Sequence, residues 1–501
     1  MTVRLTGALI ALGVSGACLL GGGAPEAVAV APAAAVVAPL ASVAVPGGVS
    51  GMAVQGGTIA TFSVANNTVS FIDLPSLTVR STTALSSVPK GVVLSPDGAL
   101  AYLVVGYPEL VYGGIDVFDT ATGAVVRSAT YDKQQPICVN GAMSIYAPAI
   151  SPDGLRLYVL ADGPACPINT EVWTIDPVTL ARIGRSVTYR YNDGPGLIAD
   201  GVPVSFNDRT FVMGSSYCPG EEGCGNSQSI MVITGKTDPY GLLAADNFPI
   251  RGSDRQGAAL ARDPGDNTLL SLTNSVKFVM FDQLPAEQSL LRIDPVSGAL
   301  LGSVDGLGSD VLSLRVDPTT RLVYGSRVGG GMVVVDAVAG RVLGVLPVFV
   351  NAVLSGRGYA ATASGVDVID LGQPMAPALP QGMKVKVGSA VKGKVKATVT
   401  WQAPARSGAS PVTGYRVVAQ SRGSDSFEAD FYGGESKAVS TQTCLTRVKL
   451  TCVLSLTQLV KTKNDRTDEF YPSLYTFTVT PINEAGAGLS GFTFVRALRV
   501  R

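Results

Sequence analysis

The residues of this chain that could do chemistry are carboxylates, because its 501 residues include no histidine. Without imidazole, Ser-His-Asp and Cys-His nucleophiles, histidine general bases and most zinc or iron sites are excluded. Carboxylate pairs remain, and such pairs hydrolyse glycosidic bonds. The acids that could form a pair are Glu171, Asp193, Asp200, Glu221 and Glu222. Acids at strand ends and turns more often accept hydrogen bonds from backbone N–H groups. We therefore expect no catalytic residue, and any enzyme here would be a carboxylate-based glycoside hydrolase.

The sequence offers little for a metal or a cofactor. Asp263-Pro-Gly-Asp-Asn267 has the composition of a calcium loop but lacks the ligand spacing of a recognised one. No Cys-x-x-Cys occurs, and no histidine could complete a zinc site. We expect neither a metal nor a cofactor.

Six cysteines follow the amino-terminal region, in three local pairs. Proximity favours three disulfides among the fifteen pairings that six cysteines allow. The pairs are Cys138 with Cys166, Cys218 with Cys224, and Cys444 with Cys452. Disulfides would suit an oxidising compartment, and buried free thiols are the alternative.

The amino terminus has the pattern of a secretory signal. Met1-Thr-Val-Arg4 is a short positive region, residues 5–20 are apolar, and Ala27-Val-Ala29 is a small-x-small cleavage site. We expect residues 1–29 to be a signal peptide and residues 30–40 an Ala/Val/Pro-rich leader. The mature protein would be secreted and extracellular, with association to the cell surface open.

A lipoprotein anchor through Cys18 is the alternative, although Ser15 stands where that motif has an aliphatic residue. No later run of 18 apolar residues predicts a transmembrane segment.

Charge is divided unevenly along the chain, although 38 basic and 38 acidic residues balance overall. From residue 378 onward there are 17 Lys and Arg against 8 Asp and Glu, whereas the first 377 residues contain 21 against 30. Five lysines recur at nearly alternate positions: Lys384, Lys386, Lys392, Lys394 and Lys396. Alternate residues of a strand share a face, so we expect the first two, and likewise the last three, to lie on common faces.

This basic face has three interpretations. It could bind an anionic polymer such as wall teichoic acid or an acidic polysaccharide. It could instead dock against the acidic part of the chain, or be an edge strand that lysines keep soluble. Nucleic acid is not expected as a partner, since no aromatic residues alternate with the lysines and the chain has an export signal.

One hairpin is repeated seven times along the chain. In each copy, alternating apolar residues flank a turn of Pro, Gly, Asn or Asp, which predicts two strands and a tight turn. The copies span 51–65, 91–105, 147–161, 203–215, 258–273, 311–326 and 352–363. A third strand follows and usually ends in aspartate, at Asp73, Asp119, Asp176, Asp294, Asp336 and Asp370. In the unit that lacks this aspartate, Val232-Ile-Thr234 takes the place of the third strand.

The period of about 50 residues is that of four-stranded propeller blades. The last unit ends near Gly372 after three strands, while residues 41–45 alternate with no hairpin before them. We infer that 41–45 supply the missing outer strand of the seventh blade, which closes the ring and removes an exposed sheet edge. The predicted fold class is all-β, with a seven-bladed β-propeller over 41–372.

These motifs resemble the YVTN-type bacterial seven-bladed propellers. The matching residues are Ser95-Pro-Asp-Gly98, Ser151-Pro-Asp-Gly154, the strand Leu157-Tyr-Val159, and the third strands that end in Ile-Asp. The resemblance covers about 330 residues. It implies the fold and hardly constrains the activity, because one fold hosts many functions.

The composition changes after Gly372. Residues 373–381 are a proline-rich linker, and nearly all of 382–501 resembles a fibronectin type III domain. The matching residues are Trp401-Gln-Ala-Pro404, Ser410-Pro-Val-Thr-Gly-Tyr-Arg-Val418 and Tyr475-Thr-Phe-Thr-Val-Thr-Pro-Ile-Asn-Glu-Ala-Gly-Ala-Gly488.

This second resemblance implies an immunoglobulin-like β-sandwich. Trp401 and Tyr415 would pack its core and Tyr475 would form the tyrosine corner. The bridge between Cys444 and Cys452 is similar to one found in bacterial versions of the domain. A charged insertion over 461–470 departs from the family pattern.

Loops near the first four cysteines are the expected binding surface of the propeller. Residues 131–146, 162–170 and 217–227 are longer than hairpins need, and a disulfide lowers the entropy that such loops lose on binding. Trp173 could stack on a sugar ring, although its spacing in Glu171-Val-Trp-Thr-Ile-Asp176 fits packing inside a blade.

These features predict a secreted, non-catalytic binding or scaffolding protein. Its propeller would provide the recognition face and its type III domain a spacer or cell-envelope anchor. The partner would be a cell-envelope polymer, a polysaccharide or a protein, and a monomer is expected. The alternative is an accessory protein or carboxylate-dependent glycosidase of extracellular polysaccharide degradation, since bacterial type III modules often accompany secreted glycosidases.

Overall fold

The computed structural model describes most of the chain after the amino-terminal region. The described residues are 38–106, 111–132, 145–162, 170–187, 196–206, 208–217, 228–237, 243–247, 257–273, 276–279, 282–285, 287–328, 330–372, 375–389, 394–422, 438–447, 449–457, 462–463, 470–471 and 474–496. In these ranges the regular structure is β-strand throughout, which confirms the predicted all-β class. None of the described segments is a helix long and apolar enough to cross a membrane.

Seven four-stranded antiparallel sheets follow one another along residues 41–370 of the described chain. Their strands pair in chain order, apart from β1 (Ala41–Ala44), which joins the seventh sheet. The first sheet contains β2 (Gly51–Gln55), β3 (Thr58–Ser63), β4 (Thr68–Asp73) and β5 (Thr78–Ala84). The second contains β6 (Val88–Leu94), β7 (Leu100–Gly106), β8 (Val111–Asp119) and β9 (Val125–Asp132). The third contains β10 (Ile145–Ile150), β11 (Leu157–Asp162), β12 (Thr170–Ile175) and β13 (Arg182–Val187).

The remaining four sheets continue the pattern. The fourth contains β14 (Gly196–Ser205), β15 (Arg209–Tyr217), β16 (Gln228–Thr237) and β17 (Leu243–Asn247). The fifth contains β18 (Gly257–Asp263), β19 (Thr268–Thr273), β22 (Leu290–Ile293) and β23 (Leu300–Val304), interrupted by a hairpin of β20 (Val276–Val279) and β21 (Asp282–Pro285). The sixth contains β24 (Val311–Val316), β25 (Leu322–Arg327), β26 (Met332–Asp336) and β27 (Arg341–Leu346). The seventh contains β28 (Ala352–Leu354), β29 (Arg357–Ala361), β30 (Gly365–Asp370) and β1.

The seven sheets close into a ring. The first strand of each sheet contacts the first strand of the next, and β28 of the seventh sheet contacts β2 of the first. The amino-terminal strand also closes the ring, because β1 pairs with β30 from Ala41 opposite Val368 to Ala44 opposite Gly365. The predicted seven-bladed propeller and its closure by residues 41–45 are confirmed.

The core of the ring lies between neighbouring sheets. One buried cluster joins Tyr102 and Val117 of the second sheet to Leu157, Val159 and Trp173 of the third. A single blade cannot bury both of its faces, so stacking against neighbours supplies the core.

The two ends of the ring carry different connections. In the third sheet Ile145 stands opposite Ala161, and Asp162 opposite Thr170, so the β11–β12 connection leaves at the end where the innermost strand begins. The connections between successive sheets leave at this same end. We call it the long-loop face, because the segments 133–144, 163–169, 188–195 and 218–227 connect strands whose described ends lie there.

The opposite end carries short turns, and aspartates organise them. Asp97 Oδ1 accepts hydrogen bonds from Ser95 Oγ (2.6 Å) and Ala99 N (3.1 Å), and Asp153 has the equivalent bonds within its own turn. Asp317 also reaches the next sheet, where it accepts from Ser355 N (3.0 Å) and Gly356 N (2.5 Å). These hydrogen bonds agree with the expectation that acids at turns accept from backbone N–H groups.

A two-sheet sandwich follows the propeller. One sheet has the order β31 (Gln381–Val387), β32 (Lys394–Gln402) and β35 (Thr451–Thr457). The other contains β33 (Gly414–Arg422), β34 (Ala438–Thr446), β38 (Leu474–Asn483), β39 (Gly486–Ala487) and β40 (Gly491–Arg496). A separate short hairpin is formed by β36 (Thr462–Lys463) and β37 (Phe470–Tyr471), at the ends of the predicted charged insertion.

The sandwich core contains Trp401 and Tyr415, as the sequence predicts, and Tyr475, the residue predicted for the tyrosine corner, is buried with them. Trp401, Tyr415 and Tyr475 belong to one buried cluster, and the Trp401 and Tyr415 ring centroids are 5.3 Å apart. Cys444 and Cys452 form the predicted disulfide across β34 and β35. The other four cysteines lie outside the described residues. The expected immunoglobulin-like sandwich is confirmed as a fold.

The linker is packed against both structures that it connects. Ala376 pairs with Val345 on β27, the outermost strand of the sixth sheet. Leu489 of the sandwich donates its N–H to Pro377 O (3.1 Å), and it joins Leu307 and Ala376 in one buried cluster. Residues 34–501 accordingly form one compact unit.

Candidate functional site

Four lysines lie on one exposed face of the β31–β32–β35 sheet. Burial alternates along β32, with Val395, Ala397, Val399 and Trp401 turned to the core. Lys384 and Lys386 on β31, and Lys394 and Lys396 on β32, are exposed. We call this set of four the lysine face. Lys392, the fifth lysine of the sequence pattern, lies outside the described residues.

The strand register sets the spacing of the lysine face. Lys384 stands opposite Thr400 and Lys386 opposite Thr398, so Lys396 is the diagonal neighbour of Lys386. Same-face neighbours along a strand and diagonal neighbours across strands are both separated by about 7 Å. The lysines therefore form a zigzag row, in the order 384, 386, 396, 394, rather than a cluster around one point.

No acidic residue balances this row within its sheet. The sequence contains no Asp or Glu between Asp370 and Asp425, nor between Glu435 and Asp465, and all three strands fall in these two stretches. Lys384, Lys386 and Lys396 have no carboxylate partner among the described residues. Like charges on one sheet face repel each other, so the row is a positive strip with no acidic residue in its own sheet.

The propeller does not cover the lysine face. The described contacts between the two structures pass through residues 375–379, 407–409 and 483–489, at a different part of the sandwich. Because the four lysines remain exposed with the propeller in place, docking on the acidic part of the chain does not explain them.

The three predicted binding loops of the propeller leave the ring together. Residues 131–146 and 162–170 connect strands that end at the long-loop face in the second and third sheets, and 217–227 does so in the fourth. The loops themselves lie largely outside the described residues. The ends of the described strands place all three predicted loops on one side of the ring, which the sequence left open.

The carboxylate candidates provide no pair in the described residues. Glu171 is buried, and its Oε2 accepts a hydrogen bond from Trp173 Nε1 at 2.7 Å. The side chain of Asp200 is outside the described set, as are Asp193, Glu221 and Glu222. Glu171 therefore serves blade packing in this structure.

Trp173 belongs to the blade core. It is 1 % exposed, the Tyr131 ring packs against it edge-on at 5.6 Å, and the Arg182 guanidinium lies 4.8 Å from its ring centroid. Burial raises the pKa of the neighbouring Tyr131 hydroxyl, which donates to Leu180 O at 2.8 Å. A role for Trp173 in sugar stacking is excluded by its burial.

The aspartates of the calcium-like loop are used in an ion pair. Arg321 of the sixth sheet donates Nη2 to Asp263 Oδ2 (2.6 Å) and to Asp266 Oδ2 (2.6 Å) of the fifth. These bonds raise the pKa of the Arg321 guanidinium. No group of three or more potential metal ligands occurs in the described part of the chain. Asp263 and Asp266 thus join two blades.

The structure adds one charged residue that the sequence motifs did not single out. Arg315 lies on β24, the innermost strand of the sixth sheet, and burial lowers the pKa of its guanidinium. The only sequence signal is a cation within the apolar alternation Val311-Leu-Ser-Leu-Arg-Val316.

Comparisons with known proteins leave the function open. No protein-family model matches the chain, and a search of curated proteins finds no match. Among solved structures, the chain is similar to "Kuenenia stuttgartiensis Hydrazine Synthase", with 16% sequence identity and a TM-score of 0.43. That match covers 66% of this chain and 97% of the other. A likeness of this extent carries no argument about function.

Proposed function

We propose that this chain is a secreted, non-catalytic binding or scaffolding protein. Its propeller recognises a ligand with the long-loop face, and its sandwich holds an anionic polymer of the cell envelope with the lysine face. The observation that carries the proposal is the row of four exposed lysines on a sheet without acidic residues, which the propeller leaves uncovered.

The organisation that goes with this function follows the sequence pattern. Residues 1–29 are a signal peptide and 30–40 a leader; 41–372 form a propeller of the YVTN type. Residues 373–381 link it to a fibronectin type III domain over 382–501. The mature protein is an extracellular monomer, and the Cys444–Cys452 disulfide is compatible with that compartment.

The geometry of the lysine face favours a linear polyanion over a small anion. The backbone positions of the four lysines follow one another at about 7 Å along a zigzag, so one phosphate or carboxylate near one end of the row is out of reach of the lysine at the other end. A chain with charges at regular intervals can meet each lysine in turn and relieves the repulsion among them. Lysines that only keep an edge strand from pairing with other chains require no binding partner. Binding of an anionic polymer therefore distinguishes an anchoring role of the lysine face from this protective role.

The test is retention on purified cell envelope at low and high salt. The test variant replaces the lysine face by glutamine: K384Q, K386Q, K394Q and K396Q. The control variant removes the same charge from other exposed positions of the sandwich: R406Q, R416Q, R447Q and K449Q.

We expect the test variant to lose most of its low-salt retention. Each lysine near an anionic surface contributes about 1 kcal/mol, so four lysines correspond to a roughly 1000-fold change in affinity. The control variant should keep its retention, and added salt should weaken wild-type binding because it screens exposed charges. Equal retention of the two variants, or wild-type binding that is insensitive to salt, would show that the lysine face only keeps an edge strand soluble.

A further inference from the structure

One cation on the inner wall of the ring has only neutral partners. Arg315 Nε donates to Asn351 O of the connection before β28 at 2.7 Å. Its Nη1 donates to Ser313 Oγ at 3.0 Å and to Ser326 Oγ at 2.8 Å. A carbonyl and two hydroxyls from the sixth sheet and the following connection therefore hold the guanidinium in a fixed orientation.

The third nitrogen of this guanidinium is available to a ligand. Arg315 Nη2 makes no hydrogen bond with the described residues, and it is not among their fully buried unpaired atoms, so solvent reaches it. A guanidinium group that is already held in one orientation loses less conformational entropy when it binds an oxyanion.

The nearby carboxylates are committed to other groups. Asp310 takes a two-point ion pair from Arg327, with Nε at 3.1 Å and Nη2 at 3.0 Å. Asp317 accepts from the backbone N–H groups of Thr319 (2.9 Å), Ser355 (3.0 Å) and Gly356 (2.5 Å). Arg315 therefore has no counter-ion among the described residues. A half-buried charge without one is costly, and an incoming anion would offset that cost.

The guanidinium points toward the long-loop face. Arg315 is the next-to-last residue of β24, and its guanidinium reaches back along the strand, because Ser313 lies two residues closer to the start of β24 and Asn351 lies immediately before β28. The Phe349 ring lies 5.4 Å from the guanidinium carbon and is 48% exposed, so it offers an apolar surface beside the free nitrogen.

We propose that Arg315 anchors an oxyanion subsite on the inner wall of the propeller. The subsite takes one carboxylate, phosphate or sulfate group of the ligand that the long-loop face recognises, and Phe349 contacts the apolar part next to that group. The identity of the face rests on the proposed function, whereas the binding of a small oxyanion by Arg315 does not.

The experiment measures thermal unfolding of the mature chain in sodium phosphate, sodium acetate and sodium chloride at equal ionic strength. The background carries the four glutamines of the lysine-face variant, so that anions held by those lysines do not contribute. The test substitution is Arg315→Met. The control is Arg341→Met, which removes an exposed arginine on β27, the outermost strand of the same sheet, where it pairs with Asp336.

We expect a saturable rise in Tm with phosphate or acetate but not with chloride, by about 2 °C at a tenfold excess over Kd. Arg341→Met should retain the rise and Arg315→Met should lose it. A rise that is equal in Arg315→Met, or no oxyanion-specific rise in the background protein, would overturn the proposal.

A second measurement covers the case in which Arg315→Met does not fold. The Nε–Hε NMR signal of Arg315, assigned through Arg315→Lys, should shift on phosphate titration and saturate together with the Tm rise. An unchanged signal would refute the subsite. If no oxyanion raises the Tm but the wild-type chain is still retained on cell envelope through the lysine face, the Arg315 subsite alone is rejected. If oxyanions raise the Tm but the lysine face does not contribute to retention, only the proposed function of the lysine face is rejected.

Discussion

Replacing Asn483 by alanine should loosen the joint between linker and sandwich. Asn483 is 0% exposed at the end of β38. Its Nδ2 donates to Ser407 O (2.8 Å) and Met375 O (3.1 Å), with Ser410 O at 3.3 Å, and its Oδ1 accepts from Ala485 N (2.9 Å). One amide thus connects three segments of chain, including the first described residue of the linker.

The magnitude follows from the groups that the substitution leaves unpaired. Asn483→Ala removes the partners of two well-formed carbonyl bonds and one N–H bond in a buried site. Each buried polar group that loses its partner costs about 1 to 3 kcal/mol, and local rearrangement recovers part of that. We expect the sandwich to lose about 3 kcal/mol of its free energy of unfolding. Asn483→Asp should cost more at neutral pH, because it turns a carboxylate toward carbonyl oxygens.

The two tryptophans make the assay specific. Trp173 lies in the propeller core and Trp401 in the sandwich core, so urea unfolding of a Trp173→Phe background reports the sandwich alone. The matched control is Glu484→Ala, an exposed neighbour whose side chain makes no described hydrogen bond. An ordinary surface substitution changes the free energy of unfolding by up to about 0.5 kcal/mol. If the free energies of unfolding of Asn483→Ala and Glu484→Ala differ by no more than that, the Asn483 amide does not hold the joint.

Two further predictions concern aspartates of the short-turn end. Asp317→Ala should cost the propeller about 3 kcal/mol, because it leaves N–H groups of two sheets unpaired; Asp97→Ala, which acts within one turn, should cost less in the same urea unfolding experiment. Hydrogen bonds from Ser76 lower the pKa of Asp73 from 3.8 to about 2. This depressed pKa stabilises the fold above about pH 4, and the contribution is lost as the pH falls toward 2. Ser76→Ala should therefore raise the Asp73 pKa measured by NMR, and an unchanged value would contradict the assignment.

Much of the fold was predictable because its signals are local and repeated. Each Ser-Pro-Asp-Gly or Asp-Pro turn fixes one hairpin, and the spacing of the hairpins gives the number of blades. Closure by residues 41–45 followed from counting strands, since a three-stranded seventh blade would leave an open edge. The alternation of Lys384 with Lys386, and of Lys394 with Lys396, likewise predicts their shared faces from strand geometry alone.

The parts that the sequence could not predict are contacts between distant segments. The sequence around Asp263 does not show that its partner is Arg321, which lies 58 residues later. That ion pair joins two blades and occupies an aspartate of the calcium-like loop. The linker is proline-rich, which predicts an exposed connection between domains. It is packed instead, because Ala376 pairs with Val345 and is buried in one cluster with Leu489. Arg315 is an ordinary strand residue until the ring places Asn351 and Ser326 around it.

The packed joint determines how the two proposed binding surfaces can act together. A flexible tether would let the lysine face and the long-loop face reach independent targets, and their effective concentration would depend on tether length. Here Ala376 pairs with the outermost strand of the sixth sheet, and Leu489 packs on the connection before β24. The sandwich is therefore attached to the same blade that contains Arg315. A rigid connection increases affinity only for a target whose two binding groups match its fixed geometry, and it excludes simultaneous binding otherwise. Loosening the joint through Asn483→Ala should therefore leave retention on cell envelope through the lysine face unchanged. It should change the affinity for any target that contacts both the lysine face and the long-loop face. A change of the second kind would show that the sandwich is part of a rigid two-site receptor and not only a spacer.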